Sequence, residues 1–189
     1  MKHEELPALA FVDIETTGLS YANGDRICEI AVLRTFGRED PAKWQTLVNP
    51  MRPISPGASA VNGITDEMVS VAPAFKDIAP KFLEIIDGAV LVFHNAGFDL
   101  GFISKELQCL NIEMPEVKVV DTLSMARRYF DFPSNSLGNI ASHIGIRQDI
   151  RHRAFADVYT TFHVFSHLFD EIVKNDICDF KSLMTTVTF

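Results

Sequence analysis

At 189 residues the chain has room for one domain with a substantial core, or for one domain and a short tail. Its 47% hydrophobic and 22% charged residues are those of an ordinary folded protein, and no apolar run approaches the roughly 20 residues a membrane-crossing helix needs. A net charge of −8 argues against nucleic-acid binding through a broad basic face, although two divalent cations at an acidic site would cancel about half of it. Met1-Lys2-His3-Glu4-Glu5 shows no secretory leader, and Cys28, Cys109 and Cys178 are odd in number, far apart and set in apolar patterns. Together these predict a cytoplasmic protein with buried free thiols and no membrane partner.

Leu9 to Leu19 predicts a buried strand that breaks into a turn at Gly18. Past the Asn23-Gly24 turn, Ile27 to Phe36 predicts a second strand antiparallel to the first, and Trp44 to Val48 a third, closed by Asn49-Pro50. Residues 53–65, with Pro53, Pro56, Gly57 and Gly63, read as a loop. Thr65 then reads as an N-cap ahead of Asp66 and Glu67. Phe75, Ile78, Ala79, Phe82, Leu83 and Ile86 fall at helical spacing up to Asp87-Gly88. Ala89 to Phe93 is a strand buried on both faces, followed by a helix over Leu100–Leu110 and a short strand over Val117–Val120 ending at Asp121. Helices are expected over Leu123–Tyr129, Ser136–Ile144 and Phe155–Val173. The order predicts an α/β domain over residues 1–175. It has a mixed five-stranded sheet, an antiparallel meander plus parallel strands, flanked by helices. Residues 176–189 form a short C-terminal tail packed on that domain or extending from it.

The chemistry concentrates at element ends. On a strand Asp13 and Glu15 point the same way, about 7 Å apart along one face. Two carboxylates on an apolar strand repel one another and are costly to bury, so something positive is expected beside them. Asp99 follows the fourth strand, and His152 and Asp157 stand at the mouth of the last long helix. Oxygen-only ligands suit Mg²⁺ or Mn²⁺. Two such ions about 3.5–4 Å apart clamp the attacking and leaving oxygens of a phosphoryl displacement.

Phe11-Val12-Asp13-Ile14-Glu15-Thr16-Thr17-Gly18-Leu19 resembles the first motif of the DEDD exonucleases, the superfamily of polymerase proofreading subunits. His94-Asn95-Ala96-Gly97-Phe98-Asp99 resembles the second motif, and His152-Arg153-Ala154-Phe155-Ala156-Asp157 the third, in its histidine-bearing (DEDDh) form. The resemblance implies a ribonuclease H-like fold and a 3′→5′ exonuclease that releases nucleoside 5′-monophosphates. It implies that Asp13, Glu15, Asp99 and Asp157 hold two divalent metal ions, Mg²⁺ or Mn²⁺, and that His152 is the general base. Backbone groups around Glu15, Thr16 and Thr17 would meet the terminal 3′-hydroxyl, with Gly18 permitting close approach. Leu19, Ile64 and Phe98 would pack on the last bases, and Asn95 would hydrogen-bond the substrate.

The segment Val61-Asn62-Gly63-Ile64-Thr65 is similar to the family's His-Gly-Ile-Thr segment, with Asn62 where histidine is common. His94 is given no role beyond orienting a loop. The implied partner is nucleic acid with a free 3′ end. DNA is favoured, RNA or short oligonucleotides are the alternative, and a non-catalytic binding module ranks last. A DNA polymerase is a candidate partner. Arg147, Arg151 and Arg153 beside His152, with Arg127 and Arg128, suggest a local basic lip and a weak, salt-sensitive grip.

Overall fold

The computed structural model describes residues 6–36, 41–113, 115–147 and 153–187. His152 and Arg151 lie outside the described residues. At the centre is β1 (Leu9–Thr16), whose apolar run is buried down to Val12 and then exposes its acids partly at Asp13 and Glu15. The sheet has six strands in the order β3-β2-β1-β4-β5-β6. β2 (Ile27–Thr35) pairs antiparallel with β1, and β3 (Ala42–Leu47) antiparallel with β2. β4 (Val90–Phe93) lies parallel to β1, and β5 (Val117–Asp121) parallel to β4. The expected five strands thus become six, because β6 (Thr185–Val187) from the tail pairs antiparallel with β5. Three residues carry no readable alternation; this strand exists through its partner.

Helices cover both faces. On one, α3 (Phe75–Ile86) and α4 (Ala96–Cys109) pack over Ala10, Val12 and Ile14. On the other, α5 (Thr122–Tyr129), α6 (Leu137–His143) and α7 (Ala154–Lys174) pack over Leu9, Phe11 and Val92. Phe11 meets Phe162 and Phe165 of α7 edge-on, at ring separations of 5.3 and 5.6 Å. Asp13 and Glu15 follow Phe11 at the strand's period of two, so the same alternation turns them toward α7. The tail folds back, with Phe180 buried against Phe165 and Phe169 at 6.4 and 5.8 Å.

The stretch read as a loop holds a helix, α1 (Pro56–Asn62). Ser55 caps it by accepting the Ala58 amide, Pro56 sits in its first turn, and Gly63 closes it at φ 70°. The prolines and glycines that signalled loop are this helix's punctuation. A further short helix, α2 (Asp66–Ser70), is capped by Thr65 and is separate from α3. The expectation of buried thiols holds for Cys28 and fails for Cys109, which is exposed at the end of α4.

Candidate active site

β1 outruns its parallel neighbour: pairing with β4 ends at Phe11↔Val92, while pairing with β2 continues through Glu15↔Glu29 to an irregularity before Thr16. Asp13 and Glu15 therefore stand beyond the C-terminal end of β4, the edge where parallel α/β sheets place their sites. Asp157 is in the first turn of α7, which is seated on Phe11 just below. One carboxylate oxygen from each of Asp13, Glu15 and Asp157 lies within 4.8 Å of the others. Asp99, in the first turn of α4, is 4% exposed; it is not one of that trio, and its charge is the largest repulsion that Asp13 feels.

Electrostatics follow from that crowding. Burial, then repulsion from Asp99, Asp157 and Glu15, raises Asp13 well above the usual carboxylate range. Glu15 is pushed from 4.5 to about 7 by burial and by the charges of Asp157 and Glu29. Burial also raises Asp99, against backbone hydrogen bonds from its own amide and from Ile14. Three acids, Asp13, Glu15 and Asp99, that burial and mutual repulsion drive toward their protonated forms are strongly stabilised as anions by a cation among them. The donor set is carboxylate oxygen throughout, which fits a hard divalent ion.

Beside the trio runs a groove of about 640 Å³, walled by Glu15, Thr16, Gly18, Leu19, Val61 and Phe98 among others. Leu19 is 86% exposed and Val61 58%, while Phe98 is braced on Phe102 at 5.0 Å. Ile64 does not line this groove: it is fully buried with Cys28, Ile54 and Val69. Gly63 turns the chain after α1, so that Val61 stays outside and Ile64 goes into the core. Thr17 is also committed to the fold. Its amide donates to the Arg26 carbonyl at 2.9 Å, and its hydroxyl donates to Asp25 Oδ1 and accepts the Arg26 amide.

The Thr16 hydroxyl donates to the Gly18 carbonyl at 2.6 Å. Gly18 has to be glycine for a reason of space, because a Cβ there would lie 2.4 Å from Asp25 Oδ2. Asn95 is exposed at φ 75° ahead of α4, where its amide donates to Asp121 Oδ1 at 2.9 Å, and it is not part of the groove wall.

Asn62, whose part the sequence left open, is buried. Its Nδ2 donates to the Thr16 carbonyl at 3.4 Å, its Oδ1 accepts the Ile64 amide, and a hydrogen bond from it lowers the Glu15 pKa. His94 ties element ends together through Thr122 Oγ1 and the Asn135 carbonyl, at 2.9 and 3.0 Å. The expected basic lip loses Arg153, whose guanidinium forks onto Glu29. Arg127, Arg128 and Arg147 are exposed. Sequence reasoning missed Val61, Glu29 and the task of Arg153. The one visible sign was an acid inside the apolar run Ile27-Cys28-Glu29-Ile30.

The family model described as Exonuclease matches residues 10–165, a span that contains Asp13, Glu15, Asp99, His152 and Asp157. The chain belongs to the exonuclease family. Among exonuclease-family relatives, the DNA polymerase III subunit epsilon of Treponema pallidum is 38% identical over 178 residues, covering 92% of this chain and 81% of that protein. The PolC-type DNA polymerase III of Caldanaerobacter subterraneus subsp. tengcongensis is 37% identical over 161 residues, which is 85% of this chain and 11% of that protein. Against five of the larger relatives it matches, this exonuclease domain spans 11 to 27% of their length. Among solved structures, Exonuclease X in complex with 5′ overhanging duplex DNA superposes with a TM-score of 0.71 at 28% identity, covering 86% of this chain and 92% of that one. The ribonuclease H-like fold and the DEDD resemblance are borne out, with one strand more than expected.

Proposed function

We propose that this exonuclease-family chain hydrolyses phosphodiester bonds from the 3′ end of nucleic acid, with DNA as favoured substrate, and releases nucleoside 5′-monophosphates. The observation that carries the reading is the convergence of Asp13, Glu15 and Asp157 within 4.8 Å at the wall of an open apolar groove. Asp13, Glu15, Asp99 and Asp157 would hold two divalent cations, Mg²⁺ or Mn²⁺. Bound there, such ions lower the pKa of water and take up charge on the phosphate and the departing 3′ oxygen. Leu19, Val61 and Phe98 offer apolar faces for the terminal bases, a sequence-tolerant contact.

Thr16 and Gly18 line the groove, and Asn95, exposed at the start of α4 outside the groove wall, would meet the nucleic acid beyond it. His152, next to Arg153 in sequence, accepts the proton of the attacking water, for which an imidazole of pKa about 6.5 is suited. Preference for DNA is supported by the DNA-bound relative of known structure and by relatives named as parts of DNA polymerase III. The same names support a task beside a DNA polymerase, for which we propose proofreading in the cytoplasm. No described helix is long and apolar enough to cross a membrane.

The test is a matched assay on 3′-labelled DNA and RNA, single-stranded, paired and mismatched, in Mg²⁺, Mn²⁺ or EDTA. The expected products are 5′-monophosphates, formed fastest from DNA and abolished by EDTA. Turnover that survives EDTA overturns the metal assignment, and faster release from RNA overturns the preference for DNA.

A further inference from the structure

Glu29 is the odd member of the acidic neighbourhood. It lies on β2 directly across from Glu15, its side chain is 1% exposed, and it is not one of the three clustered carboxylates. Three donors converge on it: Arg153 Nε at 3.1 Å, Arg153 Nη2 at 2.8 Å and the Ala154 amide at 3.0 Å. Only the carboxylate of this ion pair is buried; its desolvation offsets much of the attraction, so the pair adds little net stability, and the best-attested use of such pairs is to fix register. The two parts fixed here are 124 residues apart in sequence.

On one side is the strand that pairs with the metal-site strand. On the other is the first turn of α7. The Ala154 amide is among the helix-start donors that have no partner within the helix, and Glu29 supplies one. The Arg153 carbonyl in turn accepts the amides of Ala156 and Asp157, at 2.8 and 3.1 Å. The backbone that carries Asp157 is thus one hydrogen bond removed from the residue that Glu29 grips.

We propose that Glu29 is a positioning residue. Its fork with Arg153 and its bond to the Ala154 amide lock the start of α7 against β2, and so set the gap between Asp157 and the β1 carboxylates Asp13 and Glu15. The inference rests on the reading of those three acids as metal ligands. Partners one step removed from a metal typically change its affinity 10–100-fold when lost. A lysine at position 153 keeps the charge but cannot form the planar two-bond fork.

The experiment is a calorimetric titration of the full chain with Mn²⁺ alone, beside thermal melting and steady-state kinetics, for the wild type, Glu29→Gln, Arg153→Lys and Asp13→Ala. Both clamp variants are expected to melt cooperatively and to bind Mn²⁺ about 10-fold more weakly or worse. Their kcat falls while KM for a 3′-ended strand stays unchanged, and excess Mn²⁺ restores part of the lost kcat. Wild-type Mn²⁺ affinity in the folded variants overturns the proposal. Should Glu29→Gln fail to fold, Arg153→Lys decides alone, because Arg153 is 38% exposed and outside the core. Mn²⁺ binding that depends on Asp13 but ignores the clamp removes this inference only. Binding indifferent to Asp13 removes the metal reading and the inference with it.

Discussion

Glu15 shows most plainly what the crowding of acids does to one residue. In the fold it keeps its proton up to about pH 7, against 4.5 ordinarily, chiefly because it is buried and faces Asp157 and Glu29. The folded state therefore binds more protons than the unfolded chain between those values, so this group's contribution is present at low pH and lost as pH rises through 7. In chelator, wild type should lose stability relative to Glu15→Gln by on the order of 3 kcal/mol between pH 4.5 and pH 8. Urea unfolding of both proteins across that range measures it. A difference between the two that is flat in pH contradicts the assignment. At this scale the acids were legible because charges in an apolar strand are conspicuous. Ile64 was not, because deciding between it and Val61 requires knowing that α1 exists and that Gly63 turns the chain after it.

The element that brings the third acid in is α7. Its grip on the sheet is aromatic: Phe162 and Phe165 meet Phe11, and Phe165 stacks on Phe169 at 5.6 Å with Phe180 from the tail edge-on. Phe165 is 1% exposed, so Phe165→Ala should cost about 3–5 kcal/mol in urea unfolding. A loss below about 1 kcal/mol would mean that the helix is held some other way.

Long periodic elements such as α3 and α7 could be read from spacing alone, since 12 and 21 residues repeat the pattern several times. The seven residues of α1 and the three of β6 could not. The first is defined by caps that also signal loops, and the second by a strand partner more than 60 residues earlier in the chain. Arg153 failed for a related reason. As one of several nearby arginines it looked like surface charge, and only the fold brings Glu29 under it.

Across the molecule, acids from three distant segments meet at one edge because β1 outruns β4 while α4 and α7 both begin there. Motif order in the sequence carried that convergence, while strand pairing and the tail's return came from the fold. A chain of net charge −8 concentrates acids at that edge, and cations bound there would lessen the repulsion met by a phosphate backbone. The most direct measurement is the rate at which folded wild type and folded Asp13→Ala release 5′-monophosphates from a 3′-labelled single strand in saturating Mn²⁺. Cations held at the proposed site would supply several kcal/mol of transition-state stabilisation, so the expected result is a loss on the order of 1,000-fold. An Asp13→Ala protein that turns over at the wild-type rate would contradict it.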